Sequence, residues 1–325
     1  MIKFTKDIWK FLLAACFSAL FLISLVSPDF FAKMVLKAGV KDLATPANNS
    51  LDKFLDDSIL DPILDNPQIL TSLGLHQLDF FTNHNEKLND YSVEKSEADH
   101  EKFLTYYEKL NNFDEKKLPA SAQLNLEVAK FSANIEKRSF EDFRYYMGPF
   151  IQFYGTHLSF VNFLTDTHKL ENKKDAEDYI KRLSMVPQAI NELMVFEKRR
   201  ADAGIYSPKF VYEKTLLQLN SLIETPTKTH PLYLSFSEAI EEMDLSDKKK
   251  ESLLSNLIKE INNFKSSYAN LKILIEKNSN NAREFDGVWS LPNGDNYYKH
   301  RLQIFTTTDL SADEIHNLGL KMVEE

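Results

Sequence analysis

KDAEDYIKRLSMVPQAINELMVFEKRRADAG, residues 174–204, decides the fold. Ala176, Tyr179, Ile180, Leu183, Val186, Ile190, Leu193 and Phe196 recur three or four residues apart, which gathers apolar side chains on one face of an α-helix. Pro187 interrupts the stripe. It lacks an N–H and clashes with the preceding turn, so a kink or break is expected there. Gly204 then ends the segment, as a left-handed residue after a helix does.

The pattern repeats in both directions. Downstream, Ser207 and Pro208 read as the cap and first residue of another helix. Ser246 reads as the cap of a long one bearing Leu254, Leu257, Ile258, Ile261, Phe264, Tyr268, Leu271 and Ile275. Upstream, Leu51, Leu55, Ile59 and Ile63 are spaced by four. Pro67 fits a first helical turn, and that short helix closes at Gly74. Phe103, Leu104, Tyr107 and Leu110 form one further packing stripe, and Leu124, Val128, Phe131 and Ile135 another. Near the end, Ser311 and Glu314 have capping-box spacing, followed by Ile315, Leu318, Met322 and Val323. No Gly or Asn follows, so this last helix reads as begun and unfinished. The best candidate for extended structure is FRYYMGPFIQFYG, residues 143–155. The expected class is mainly α: a multi-helix domain with few short strands, preceded by one N-terminal hydrophobic helix.

Composition agrees. Only 8 Gly and 11 Pro in 325 residues leave room for few hairpins. A formal net charge of −9 argues against nucleic acid, whose binding needs clustered Lys and Arg to displace counterions. Cys16 is the sole cysteine, which excludes an intramolecular disulfide and a cysteine-based zinc cluster.

Lys3, Lys6 and Lys10 lie in a basic segment, residues 1–10, that precedes an uncharged apolar run at 11–26. The run has no A-x-A-like cleavage site, so it reads as an uncleaved membrane anchor, the alternative being a signal removed on export to the periplasm. Residues 27–50 form a juxtamembrane linker. Its Lys33, Lys37 and Lys41 stripe suits either an anionic membrane surface or a solvated helix. The folded body is expected over 51–325.

Chemical motifs are sparse. There is no G-x-S-x-G, no G-x-G-x-x-G and no phosphate loop. A helical zinc peptidase needs H-E-x-x-H, which puts two imidazoles one turn apart on one metal. After His100-Glu101, Leu104 stands where the second His belongs. Glu97 and His100 form a Glu-x-x-His with no second copy, and a dimetal bundle needs two. The histidines at 76, 84, 157, 168, 230 and 300 lack ligand spacing; His157 and His300 sit among aromatics, where a hydrogen-bonded structural role fits them. No catalytic or metal residue is assigned. LPNGDNYYKHR, residues 291–301, differs in character: a Pro/Gly turn presents polar groups beside paired tyrosines, equipment for gripping a peptide. Asn293, Tyr297, Tyr298 and His300 are the candidate substrate-binding residues.

The chain resembles the bacterial family called domain of unknown function 885, placed with gluzincin-type zinc metallopeptidases. The resemblance rests on NPQILTSLGLHQ (66–77), LNDYS (88–92), LPASAQLNLEVAKF (118–131), the 153–183 segment, RRADAGIYSPKFVYEK (199–214) and above all DGVWSLPNGDNYYKHRLQIFTTTDLSADEIHNLGL (286–320). It implies that the TTTDL-type segment lies near the middle of a longer chain whose H-E-G-x-P-G-H-H motif and zinc come later. No position here matches those ligands, so zinc is expected only in a full-length relative. The resemblance implies the non-catalytic N-terminal half of a membrane-anchored peptidase-like protein, its body outside the cytoplasm, providing scaffold and part of a peptide-binding groove. The alternative is a stand-alone anchored binding or scaffolding module.

Overall fold

A computed structural model describes residues 50–75 and 83–325. The basic segment, the apolar run at 11–26 and all of the linker but Ser50 lie outside the described residues, as does His76. No helix among the described residues is long and apolar enough to cross a membrane.

The described chain is helical, in the order α1 (Ser50–Leu64), α2 (Pro67–Ser72), α3 (Val93–Asn111), α4 (Ala120–Phe143), α5 (Thr156–Asn162), α6 (Lys173–Asp202), α7 (Lys209–Glu224), α8 (Pro231–Glu242), α9 (Asp247–Ser279), α10 (Gly294–Thr306) and α11 (Ala312–Glu324). A π-helical turn, Phe163–Thr167, follows α5. The expected short strands are absent among the described residues, where pairing is limited to an isolated bridge between Pro208 and Arg283. Of residues 143–155, the expected extended stretch, Phe143 ends α4 and the rest run through turns and irregular backbone to α5.

The chain divides into two compact units. The first comprises residues up to Asn89 together with Thr167–Arg182. Within it, Asn66 caps α2 by accepting from the Ile69 N–H, with Pro67 at the first helical position. Arg182, wholly buried, ties the unit together. Its guanidinium donates to the Lys87 carbonyl at 2.7 Å, to the Thr71 hydroxyl at 2.9 Å and to the His84 carbonyl, and meets His168 Nδ1 at 2.7 Å. His168 Nε2 faces the Asp175 carbonyl at 3.1 Å, so the proton belongs on Nε2 and Nδ1 accepts from Arg182. In α1 only Leu51 of the four-residue stripe is fully buried, and Ile59 is exposed.

The second unit holds Asp90–Asp166 and Leu183–Glu325. The α6 stripe is buried as its spacing requires: Leu183, Val186, Ile190 and Leu193 lie inside. Pro187 does not break the helix, which runs through it. One lost N–H is tolerated where the flanking face is packed. Gly204, at φ +72°, closes the end, with the Ile205 N–H reaching back to the Arg200 carbonyl at 3.0 Å.

Helix α9 packs against α7 and α8. Leu253, Leu257, Ile261, Phe264, Tyr268, Leu271, Leu274 and Ile275 form its buried face. Ser246 holds the cap position but makes no side-chain cap bond, and α7 begins at Lys209, one residue later than expected, with Pro208 at its cap. Helix α4 departs further. Leu124 and Val128 face solvent, while Ala122, Leu126 and Ala133 are buried. Leu124 and Leu126 are about 200° apart on a helix, so two apolar series compete and packing chose the slimmer one. Glu197 and Arg200 form a buried ion pair at 2.9 Å, completed by Asn278 and the Tyr145 carbonyl. The capping box at α11 is present as read: the Ser311 side chain accepts from the Glu314 N–H, and the Glu314 side chain accepts from the Ser311 N–H.

Candidate functional site

The candidate residues at 293–300 sit on the first turns of α10, and the loop before them is pinned from within. Arg283 donates to the Tyr206 carbonyl at 2.9 Å, the Gly287 carbonyl at 2.7 Å and the Ser290 hydroxyl at 2.5 Å. Partial burial pulls its guanidinium below the usual arginine range, with Asp286 opposing the shift. The turn then doubles back so tightly that a Cβ on Gly294 would lie 2.2 Å from the Val288 carbonyl oxygen. Only glycine fits there. Asn293 precedes it at φ 52°, a left-handed conformation asparagine tolerates, and its side-chain carbonyl accepts from Asn296 at 2.6 Å.

The four candidates divide by exposure. Asn293 is exposed, and Tyr298 keeps 47% of its surface. Tyr297 is buried among Phe143, Ile205 and Leu291, with Tyr145, Tyr146 and Val288 against them. Its ring lies 4.7 Å from Tyr146 and 5.4 Å from Phe143, and burial pushes its phenol up. His300 is buried too, stacked 5.0 Å from Phe143, with Nε2 at 2.9 Å from the Ser139 hydroxyl. Burial, reinforced by Arg138 and Arg301, lowers its pKa, so it is neutral at pH 7. Its Nδ1 has no partner among the described residues. The tyrosine pair therefore splits: one ring anchors the turn and the other faces out.

Further along α10, Arg138 donates to Gln303 Oε1 at 3.1 Å, and Gln303 Nε2 donates to Asp309 at 2.6 Å. This relay runs from α4 into the TTTDL segment. Thr307 there adopts φ 54°, an uncommon conformation for a β-branched residue. Neither Arg283 nor Ser139 stands out in the sequence, since their acceptors and partners come from loop carbonyls and a distant helix.

The donor set among the described residues does not fit zinc. Among the described residues no three His, Cys, Asp or Glu side chains group as a metal site. His157 is instead bonded to Gln218 at 3.0 Å, and burial lowers its pKa; His230 caps α8 through Nδ1, and burial with Lys265 nearby lowers its pKa to about 4.

Comparison with known proteins supplies the family. The bacterial proteins of unknown function termed DUF885 match residues 67–325. The chain belongs to this family. A solved structure, the "putative lipoprotein" from Colwellia psychrerythraea, is similar to this DUF885 chain with a TM-score of 0.66 and 20% identity, over 81% of the present chain and 48% of the other. That likeness concerns the fold. The DUF885 chain thus spans about half the length of this solved relative. No curated protein matches it.

Proposed function

We propose that this chain is the non-catalytic N-terminal half of a membrane-anchored, zinc metallopeptidase-like protein, and that it supplies scaffold and one wall of a peptide-binding groove. The observation that carries the reading is α11. Its apolar side chains Leu318, Met322 and Val323 are 50%, 69% and 86% exposed, on a helix whose strong two-sidedness calls for a cover. A relative of about double the length, aligned over 48% of itself, supports a cover contributed by further chain. In this reading zinc and its ligands belong to that further part, as the family resemblance implies.

In this reading Asn293 and Tyr298 touch the peptide. Tyr297 and His300 hold the turn from behind, and Arg283 fixes the loop's shape. Residues 11–26 anchor the body outside the cytoplasm, in keeping with the lipoprotein description of the solved relative.

The coding sequence beyond Glu325 tests the proposal. An in-frame segment carrying H-E-x-x-P-G-H-H supports it. A stop codon directly after Glu325 sinks it in favour of a stand-alone scaffolding module. Zinc analysis of the dialysed 325-residue chain is expected to find less than stoichiometric metal, and chelator-sensitive peptide cleavage by this chain would contradict the assignment.

A further inference from the structure

The second unit also contains a cleft of about 540 Å³ whose lining includes no residue of α10. That volume lies in the range of small-molecule sites, about 300–1,000 Å³. Three parts of the chain build it: residues 90–103, which lead into α3 and run along it, the C-terminal half of α4 with the following 147–149 turn, and Leu193 and Phe196 of α6.

Rings dominate its walls. His100 stacks on Phe140 at 3.8 Å, and the Arg144 guanidinium lies 4.7 Å from the same ring, so the π-surface of Phe140 is already used. Phe103, stacked 5.9 Å from His100, and Phe196, 5.3 Å from Tyr145, also line the cleft, and no cation is seated on either among the described residues.

Charge tells the rest. The lining carries Asp90, Asp99 and Glu136 against a single lysine, Lys95. Asp90 accepts from the Ser92 N–H at 2.9 Å, and Asp99 is paired with Lys95 and Lys102. Glu136 makes neither a hydrogen bond nor an ion pair among the described residues, and the Ser96 hydroxyl makes no hydrogen bond. The cleft therefore offers a carboxylate without a protein partner, a vacant hydroxyl and aromatic rings on which no cation is seated among the described residues. Glu136 is exposed, so water solvates it in the free cleft; an anion would be repelled by it, and a purely apolar guest would displace that water without replacing its charge.

We propose that this cleft binds an organic ammonium or guanidinium group on a short apolar or aromatic body, with the cation at Glu136 and Ser96 and the body against Phe103 and Phe196. Carboxylate and ring quadrupole attract the same charge, which is the usual means of holding such cations. The ligand is either a free amine or a basic side chain on a peptide.

Titration of the 325-residue chain with benzylamine, benzyl alcohol, benzoate and N-acetyl-arginine amide tests the inference. Benzylamine is expected to bind about fivefold or more tighter than benzyl alcohol, with benzoate weakest, and high salt is expected to shrink the difference. Glu136→Gln, an exposed and fold-neutral change, should bring amine and alcohol to parity, and Phe103→Leu should weaken both. Tighter binding of the arginine amide than of benzylamine assigns the cation to a peptide, and the reverse order assigns it to a free amine. Equal binding of amine and alcohol, no effect of Glu136→Gln, or no saturable binding overturns the inference.

Discussion

Helices α9 and α11 belong to one compact unit and carry the same kind of apolar stripe, yet they end in opposite surroundings. In α9, Leu257, Ile261, Phe264, Tyr268, Leu271 and Ile275 are wholly shut from solvent. In α11 only Ile315 is even half-buried. A stripe of period 3.6 reports that a helix has a face to bury, but the cover must come from elsewhere. For α9 the cover is α7 and α8. For α11 it is the part of the protein we propose to lie beyond these residues.

The contrast makes graded predictions. The largest effect is expected from Phe264→Ala, which removes a buried ring stacked 3.9 Å from Tyr268 and met edge-on by His230; thermal unfolding should show a loss of about 3–5 kcal/mol. Tyr268→Phe is expected to cost about 1–2 kcal/mol, because the His157 carbonyl loses the hydroxyl that donates to it at 2.6 Å. A cost near zero would mean that water reaches that carbonyl and that the α9 face is less closed than described.

Acidification acts on the same region. His230 is held neutral, its pKa lowered from 6.5 to about 4. The unfolded chain takes up that proton first, so the stability is present above about pH 6.5 and is lost as pH falls toward about 4. His157 and His300, lowered in the same direction, add to the loss. Denaturant titration should record a decline on the order of 1–2 kcal/mol across that window. His230→Gln should flatten part of it. The smallest effect belongs to α11: Met322→Ala should change the stability of this chain by less than about 0.5 kcal/mol, since the side chain is already in water. A loss as large as that at Phe264 would show that α11 is covered.

Much of this fold is legible in the sequence. The α6 and α9 stripes are strong because each has one dominant apolar face, and Pro67, Gly204 and the Ser311–Glu314 pair mark helix ends through local backbone chemistry. Helix α4 misleads because Leu124 and Val128 outweigh Ala122 and Ala133 in hydrophobicity, whereas close approach to its neighbours favours the small residues. At 143–155, aromatic richness resembles a strand, but Phe143, Tyr145 and Tyr146 pack against other segments while Phe153 and Tyr154 face solvent. Of the candidate site, the turn at Pro292–Gly294 is readable from residue type. The division between Tyr297 and Tyr298 is not, because it depends on where Phe143 and Tyr146 of another segment arrive. The 540 Å³ cleft is invisible in sequence for the same reason, as its walls come from three separated stretches.

Amide hydrogen exchange on the 325-residue chain, read helix by helix, tests most directly whether α9 is complete and α11 awaits a cover. A lone helix of 13 residues is marginal in water. The amides of α11 should therefore exchange nearly as fast as in an unfolded peptide, while those of Leu257–Leu271 in α9 exchange only on global unfolding. Protection of α11 equal to that of α9, independent of protein concentration, would contradict the account.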